Sequence, residues 1–113
     1  MAKRVVVVIS GDPCKTHRPV EALRIALGLC AGGHDTTVIL LEQAPLLLTE
    51  DTDDIVDVDI LEKYLSSFSQ LRVPFLIEAG FFKNPLRHEF SVSPASPEEI
   101  RGCLQTADRS LVF

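Results

Sequence analysis

The chain has 113 residues, of which 46% are hydrophobic and 24% charged, values typical of one globular domain spanning residues 1–113. Its formal net charge of −5 disfavours general nucleic-acid binding and docking on anionic membranes, since both need a basic surface. No signal peptide and no apolar run of membrane-spanning length is recognisable, which predicts a cytoplasmic protein that does not contact a membrane.

The first unit of the chain reads as a buried strand, a polar loop and a helix. Residues 5–9 form an unbroken β-branched run, the pattern of a strand that is buried on both faces. The loop at residues 10–19 contains Gly and Pro, and Pro19 suits the first turn of a helix because its missing N–H is not needed there. Ligands of open α/β sheets gather at the carboxyl ends of such strands, so this loop is predicted to line any site.

The remaining elements alternate between the two types. Apolar periodicity predicts a helix from Pro19 to the Gly pair at 32–33, and further helices at residues 59–71 and 97–106. Strands are predicted at residues 36–41, 73–78, 90–92 and 110–113. This order predicts an α/β fold: a mostly parallel five-stranded sheet with helices on both faces.

The sharpest local signal precedes the third helix. Ser96 is followed by Pro97 and, at the third helical position, by Glu99, which is the capping-box pattern. The sequence therefore predicts that Ser96 is the N-cap.

Two apolar stretches are candidates for contacts between subunits, because large exposed apolar patches mark interfaces. Three leucines follow the second strand, and two phenylalanines follow the third: Leu46, Leu47, Leu48, Phe81 and Phe82. For the leucines a second interpretation is equally open, a short helix that packs on the sheet. The acidic run at residues 49–59 lacks the pattern of a calcium loop and is predicted to be a solvated loop.

Cys14 is the candidate reactive residue. It precedes a helix N-terminus and has basic neighbours, both of which favour the thiolate. The same features favour a bound anion, and an exposed thiol without a role is the third interpretation. Glu78, at the predicted end of the third strand, faces either a site or the surface. The candidate residues for the loop and for anion binding are Ser10, Lys15, His17, Arg18 and Glu78.

No metal or cofactor site is predicted. The loop matches neither a P-loop nor the G-x-G-x-x-G pattern, and the cysteines and histidines are too scattered for a disulfide framework or a zinc site. Cys30 and Cys103 fall on apolar helix stripes and are predicted to be core residues.

Across nearly its whole length the sequence resembles the DsrE/DsrF-like family of small sulfur-relay proteins, most closely the TusC/DsrF branch. The resemblance rests on the opening strand and loop (5–19), the Gly-Gly-His end of the first helix, and the segments at 44–48, 71–83 and 90–113. It implies a flavodoxin-like three-layer sandwich, and trimers or hexamers. It also implies persulfide transfer between cysteines, directed to tRNA thiolation or sulfur oxidation.

One departure affects the expected role. Members of the family that carry sulfur have a cysteine at the end of the strand corresponding to residues 73–78, and here that stretch continues as Glu78-Ala79-Gly80. The first hypothesis is therefore a non-carrying, structural subunit, whose partners are itself or other DsrE/DsrF/DsrH-like subunits. A cysteine desulfurase or a sulfur carrier protein is a further expected partner. The alternatives are an active thiol carrier that uses Cys14, and a flavodoxin-like module that binds a small anionic ligand or nucleotide.

Overall fold

The computed structural model describes residues 2–80 and 85–113. Its strands are β1 (Arg4–Ile9), β2 (Asp35–Leu40), β3 (Pro74–Glu78), β4 (Ser91–Ala95) and β5 (Arg109–Val112). Its α-helices are α1 (Arg18–Ala31), α2 (Val58–Leu71) and α3 (Pro97–Thr106), and a short 3₁₀ helix spans Ala44–Leu48. The elements alternate as the sequence predicts.

All five strands pair in parallel, in the order β4-β3-β2-β1-β5. β1 lies between β2 and β5, and its residues from Val5 to Ile9 are all buried, as its β-branched sequence requires. The first loop therefore leaves the carboxyl edge of the sheet from one of its interior strands.

Helices cover both faces of the sheet, which confirms the predicted α/β fold class. On one face α1, α2 and the 3₁₀ helix pack against alternate residues of β1, including Val5 and Val7. On the other face Ile100 of α3 packs against Val6 and Val8. The period of two along β1 separates the two cores.

The end of α1 and the start of α3 follow their local sequence signals. Gly33 has a φ of 88°, and its N–H donates to the Cys30 carbonyl while the His34 N–H donates to Leu29, which is a Schellman motif. At α3, the Ser96 side chain accepts from the Glu99 N–H and the Glu99 carboxylate accepts from the Ser96 N–H. The predicted capping box is confirmed.

Helix α2 buries a narrower stripe than its sequence suggests. Leu61, Leu65 and Phe68 are buried, whereas Ile60 is 43% and Leu71 48% exposed. The apolar spacing of residues 59–71 predicts that both lie on the buried face, and that prediction is wrong for them. The reason is that the buried residues follow an i, i+4, i+7 row, which leaves Ile60 and Leu71 on its flanks.

Strand β4 is longer than predicted, because it continues through Pro94 to Ala95. Proline has no N–H to donate to a neighbouring strand. β4 is an edge strand that pairs only with β3, and an edge tolerates a proline whose missing N–H faces away from the sheet.

The leucine run adopts the packed alternative. Leu47 and Leu48 are fully buried in the core beneath the 3₁₀ helix, and Leu46 is half-buried. The expectation of a subunit contact is corrected for Leu47 and Leu48, because their surfaces are already used within the chain. Phe81 and Phe82 lie outside the described residues.

Candidate functional site

The loop after β1 is held at its start and in its middle. The Ser10 N–H and hydroxyl both donate to the carbonyl of Phe113, over 3.0 and 3.4 Å. Pro13 is buried, and its carbonyl accepts from the Val56 N–H over 2.9 Å. The loop is thereby tied to the C-terminal strand on one side and to the acidic segment on the other.

Cys14 lines a pocket of about 400 Å³ between this loop and the acidic segment. Its apolar walls come from Leu46, Ile55 and Pro85. Its polar lining residues are Thr49, Glu50, Asp51 and Asp54. The segment predicted to be a solvated loop therefore forms a wall of the pocket, and two of its own residues, Thr52 and Ile55, are buried.

The electrostatic environment of Cys14 is opposite to the prediction. Partial desolvation raises the pKa of the Cys14 thiol, and the negative charges of Asp12, Asp54 and Asp51 raise it further. The expected lowering by the basic neighbours and the helix end is wrong for two reasons. The helix begins only at Arg18, four residues later, and the carboxylates lie on the pocket side.

Several N–H groups of the loop already donate hydrogen bonds within the loop. The Cys14 N–H donates to the Asp12 side chain over 2.9 Å, and the N–H groups of Lys15 and Thr16 both donate to the Asp12 carbonyl. The Arg18 N–H donates to the Thr16 hydroxyl. A phosphate cradle needs such donors unpaired, so these four N–H groups are not free to bind an anion.

The other predicted site residues do not converge on the pocket. The side chains of Lys15, His17 and Arg18 are exposed, and His17 is the N-cap of α1 without a side-chain bond to it. Glu78 is half-buried at the carboxyl end of β3, which β2 separates from β1, and it does not line the Cys14 pocket.

The three thiols differ in exposure. Cys14 is exposed, whereas Cys30 and Cys103 are partly buried and pack against the two cores. β3 contains no cysteine, and the chain continues from Glu78 into Ala79 and Gly80. Cys14 is therefore the most accessible thiol at the carboxyl edge of the described sheet.

An ion pair next to the pocket was not found by sequence reasoning. Arg87 and Glu62 are 25 residues apart in sequence, and their side chains lie 2.6 Å apart at the closest approach. Thr52 also donates to Glu62, over 3.1 Å. Hydrogen bonding from Arg87 lowers the pKa of Glu62 and raises that of Arg87. No local pattern signals a pair between a helix and an irregular segment.

Within residues 2–80 and 85–113, no helix is long and apolar enough to cross a membrane.

Comparison of the sequence with family models and with curated proteins gives no match. Among solved structures, the crystal structure of the ychN protein from E. coli is similar, with a TM-score of 0.78 and 21% sequence identity. The match covers 100% of this chain and 100% of that chain. The chain thus shares the fold of the ychN protein along its whole length.

Proposed function

We propose that the chain is a non-carrying subunit of a DsrE/DsrF-like sulfur-relay assembly. The observation that carries the proposal is the fold of the ychN protein, shared over both whole chains, together with the sequence resemblance to the TusC/DsrF branch. The all-parallel pairing of the sheet and the helices on both of its faces agree with the three-layer α/β sandwich that this resemblance implies.

Two features of the described residues argue against a sulfur-carrying function. The resemblance implies a cysteine at the carboxyl end of β3 in members that carry sulfur, and β3 with the residues up to Gly80 contains none. The remaining accessible thiol, Cys14, has a raised pKa because of desolvation and nearby carboxylates. Since the thiolate is the nucleophile, Cys14 is poorly activated for accepting sulfur at neutral pH.

One observation favours the alternative that Cys14 carries sulfur: its thiol is exposed and opens into a pocket large enough to admit a partner's side chain. The two functions are separated by incubating the protein with a cysteine desulfurase and its substrate. Mass spectrometry of the Cys14 peptide then shows whether one sulfur has been added, with Cys14→Ser as the matched control.

We expect no added sulfur on the Cys14 peptide. We also expect the assembly that contains the Cys14→Ser variant to transfer sulfur as well as the assembly that contains the wild-type chain. A persulfide on Cys14, lost in the Cys14→Ser variant, would overturn the non-carrying role and support the carrier.

The proposed partners are further copies of this chain or other DsrE/DsrF/DsrH-like subunits. Light scattering at micromolar concentration is expected to show a trimer or a hexamer for a self-assembling subunit. For a hetero-assembly, co-expression with DsrE-like and DsrH-like subunits is expected to give a stable complex. A monomer that forms no complex with these subunits would contradict the proposed assembly.

A further inference from the structure

The Arg87 side chain binds two separate parts of the chain at once. Its Nε donates to the carbonyl of Thr49 over 2.9 Å, and its two terminal nitrogens donate to the two oxygens of Glu62 over 3.1 and 2.6 Å. Only 18% of its side chain is exposed. Two-pronged binding of a carboxylate by a shielded guanidinium fixes both position and orientation.

The backbone next to Arg87 is fixed to the same region. The Arg87 N–H donates to the Leu48 carbonyl over 2.8 Å, and Leu86 forms an antiparallel bridge with Thr49. On α2, Glu62 accepts a further hydrogen bond from Thr52. Residues 85–87 are thus attached to the end of the 3₁₀ helix and to α2.

This attachment also shapes the Cys14 pocket. Pro85 and Thr49 both line the pocket. The Thr49 carbonyl accepts a hydrogen bond from Arg87, and Pro85 lies two residues before Arg87, whose N–H donates to the Leu48 carbonyl. We propose that Arg87 is a positioning residue for this pocket: its ion pair with Glu62 holds Pro85 and Thr49 in the wall that faces Cys14. The proposal does not depend on whether Cys14 carries sulfur.

The chain supplies a matched control in the pair Arg24–Glu21. This pair also joins an arginine to a glutamate, but both residues lie in α1, three positions apart, and the arginine side chain is 54% exposed. Neither residue lines the pocket. Exposed pairs of this kind position little beyond themselves.

The test compares Arg87→Met with Arg24→Met in the full chain, with Cys30 and Cys103 replaced by alanine. A solvent-sensitive fluorophore attached to Cys14 reports on the pocket. Hydrogen exchange at the amide of residue 87 reports on the attachment of Arg87 to Leu48, Thr49 and Glu62. We expect Arg87→Met to shift the emission to longer wavelength, because the label loses its apolar wall. Exchange at residue 87 should accelerate by about tenfold to a hundredfold, as expected when charge-assisted hydrogen bonds are lost.

Three further measurements keep the result interpretable. Arg24→Met is expected to leave both signals unchanged. Ser96→Ala, which weakens α3 on the opposite face, controls for a general loss of stability. Arg87→Lys keeps the charge without the two-pronged geometry, so its emission shift relative to wild type is expected to be smaller than that of Arg87→Met. If Arg87→Met does not fold, Arg87→Lys and Glu62→Gln are measured in its place, with the same two signals.

Two results would overturn the proposal. One is accelerated exchange at residue 87 with unchanged emission from the label, which would mean that the Arg87–Glu62 ion pair does not position the pocket wall. The other is an equal emission shift in Ser96→Ala, which would assign the effect to overall stability.

Discussion

Ser96→Ala tests how far one local signal supports the whole fold. The Ser96 hydroxyl accepts a hydrogen bond from the Glu99 N–H over 3.1 Å, and the Glu99 carboxylate accepts one from the Ser96 N–H over 3.3 Å. Alanine has no hydroxyl and therefore removes the first bond. The second bond, from the N–H of residue 96 to the Glu99 carboxylate, can still form. Loss of an N-cap serine costs about 1 kcal/mol, within a usual range of about 0.5–2.

The loss should appear in global unfolding because of what α3 covers. Ile100 of α3 is buried against Val6 and Val8 of β1, the strand next to the centre of the sheet. With urea m-values of about 1–3 kcal/mol/M for small proteins, a loss of about 1 kcal/mol lowers the denaturation midpoint by roughly 0.3–1 M.

The assay is urea denaturation followed by circular dichroism, with Ser66→Ala as the control. Ser66 is exposed within α2, where alanine is the better helix former, so its midpoint should stay constant or rise slightly. A Ser96→Ala midpoint that equals the wild-type value within error would refute the capping role. A midpoint change accompanied by a changed m-value would refute the two-state reasoning behind the magnitude.

Three further predictions concern the Cys14 thiol, the ion pair of Glu62 with Arg87, and the buried leucine Leu47. Cys14 should be alkylated before the other two thiols, with a rate that rises with pH to a midpoint above the ordinary thiol pKa. A midpoint below that value would contradict the acidic environment. The folded-state pKa of Glu62 is lowered, so its stabilisation is complete above the unfolded value near pH 4.5 and is lost as the pH falls through the folded pKa. Glu62→Gln should flatten stability in that acidic window, and an unchanged slope would argue against the pairing. Leu47→Ala should cost about 2–5 kcal/mol, and Leu46→Ala clearly less, because only Leu47 is fully buried. Equal losses in thermal or urea unfolding would show that the two leucines share one environment.

The sequence by itself determined the elements and their order. The β-branched run at residues 5–9 indicated a buried strand, and Ser96 with Glu99 specified the start of α3. Such patterns act over a few neighbouring residues, so they can be recognised without the rest of the fold. The alternation of strands and helices then restricted the architecture to a parallel sheet with helices on both faces.

The surroundings of Cys14 were decided only by the tertiary structure. Its sequence neighbours are basic, but its pocket is formed by Asp51, Asp54 and Pro85, which lie far along the chain. The choice between a core and an interface role for Leu47 was likewise settled by packing. The electrostatics of a site depend on distances in space, and residues remote in sequence are brought to those distances only when the helices and strands pack.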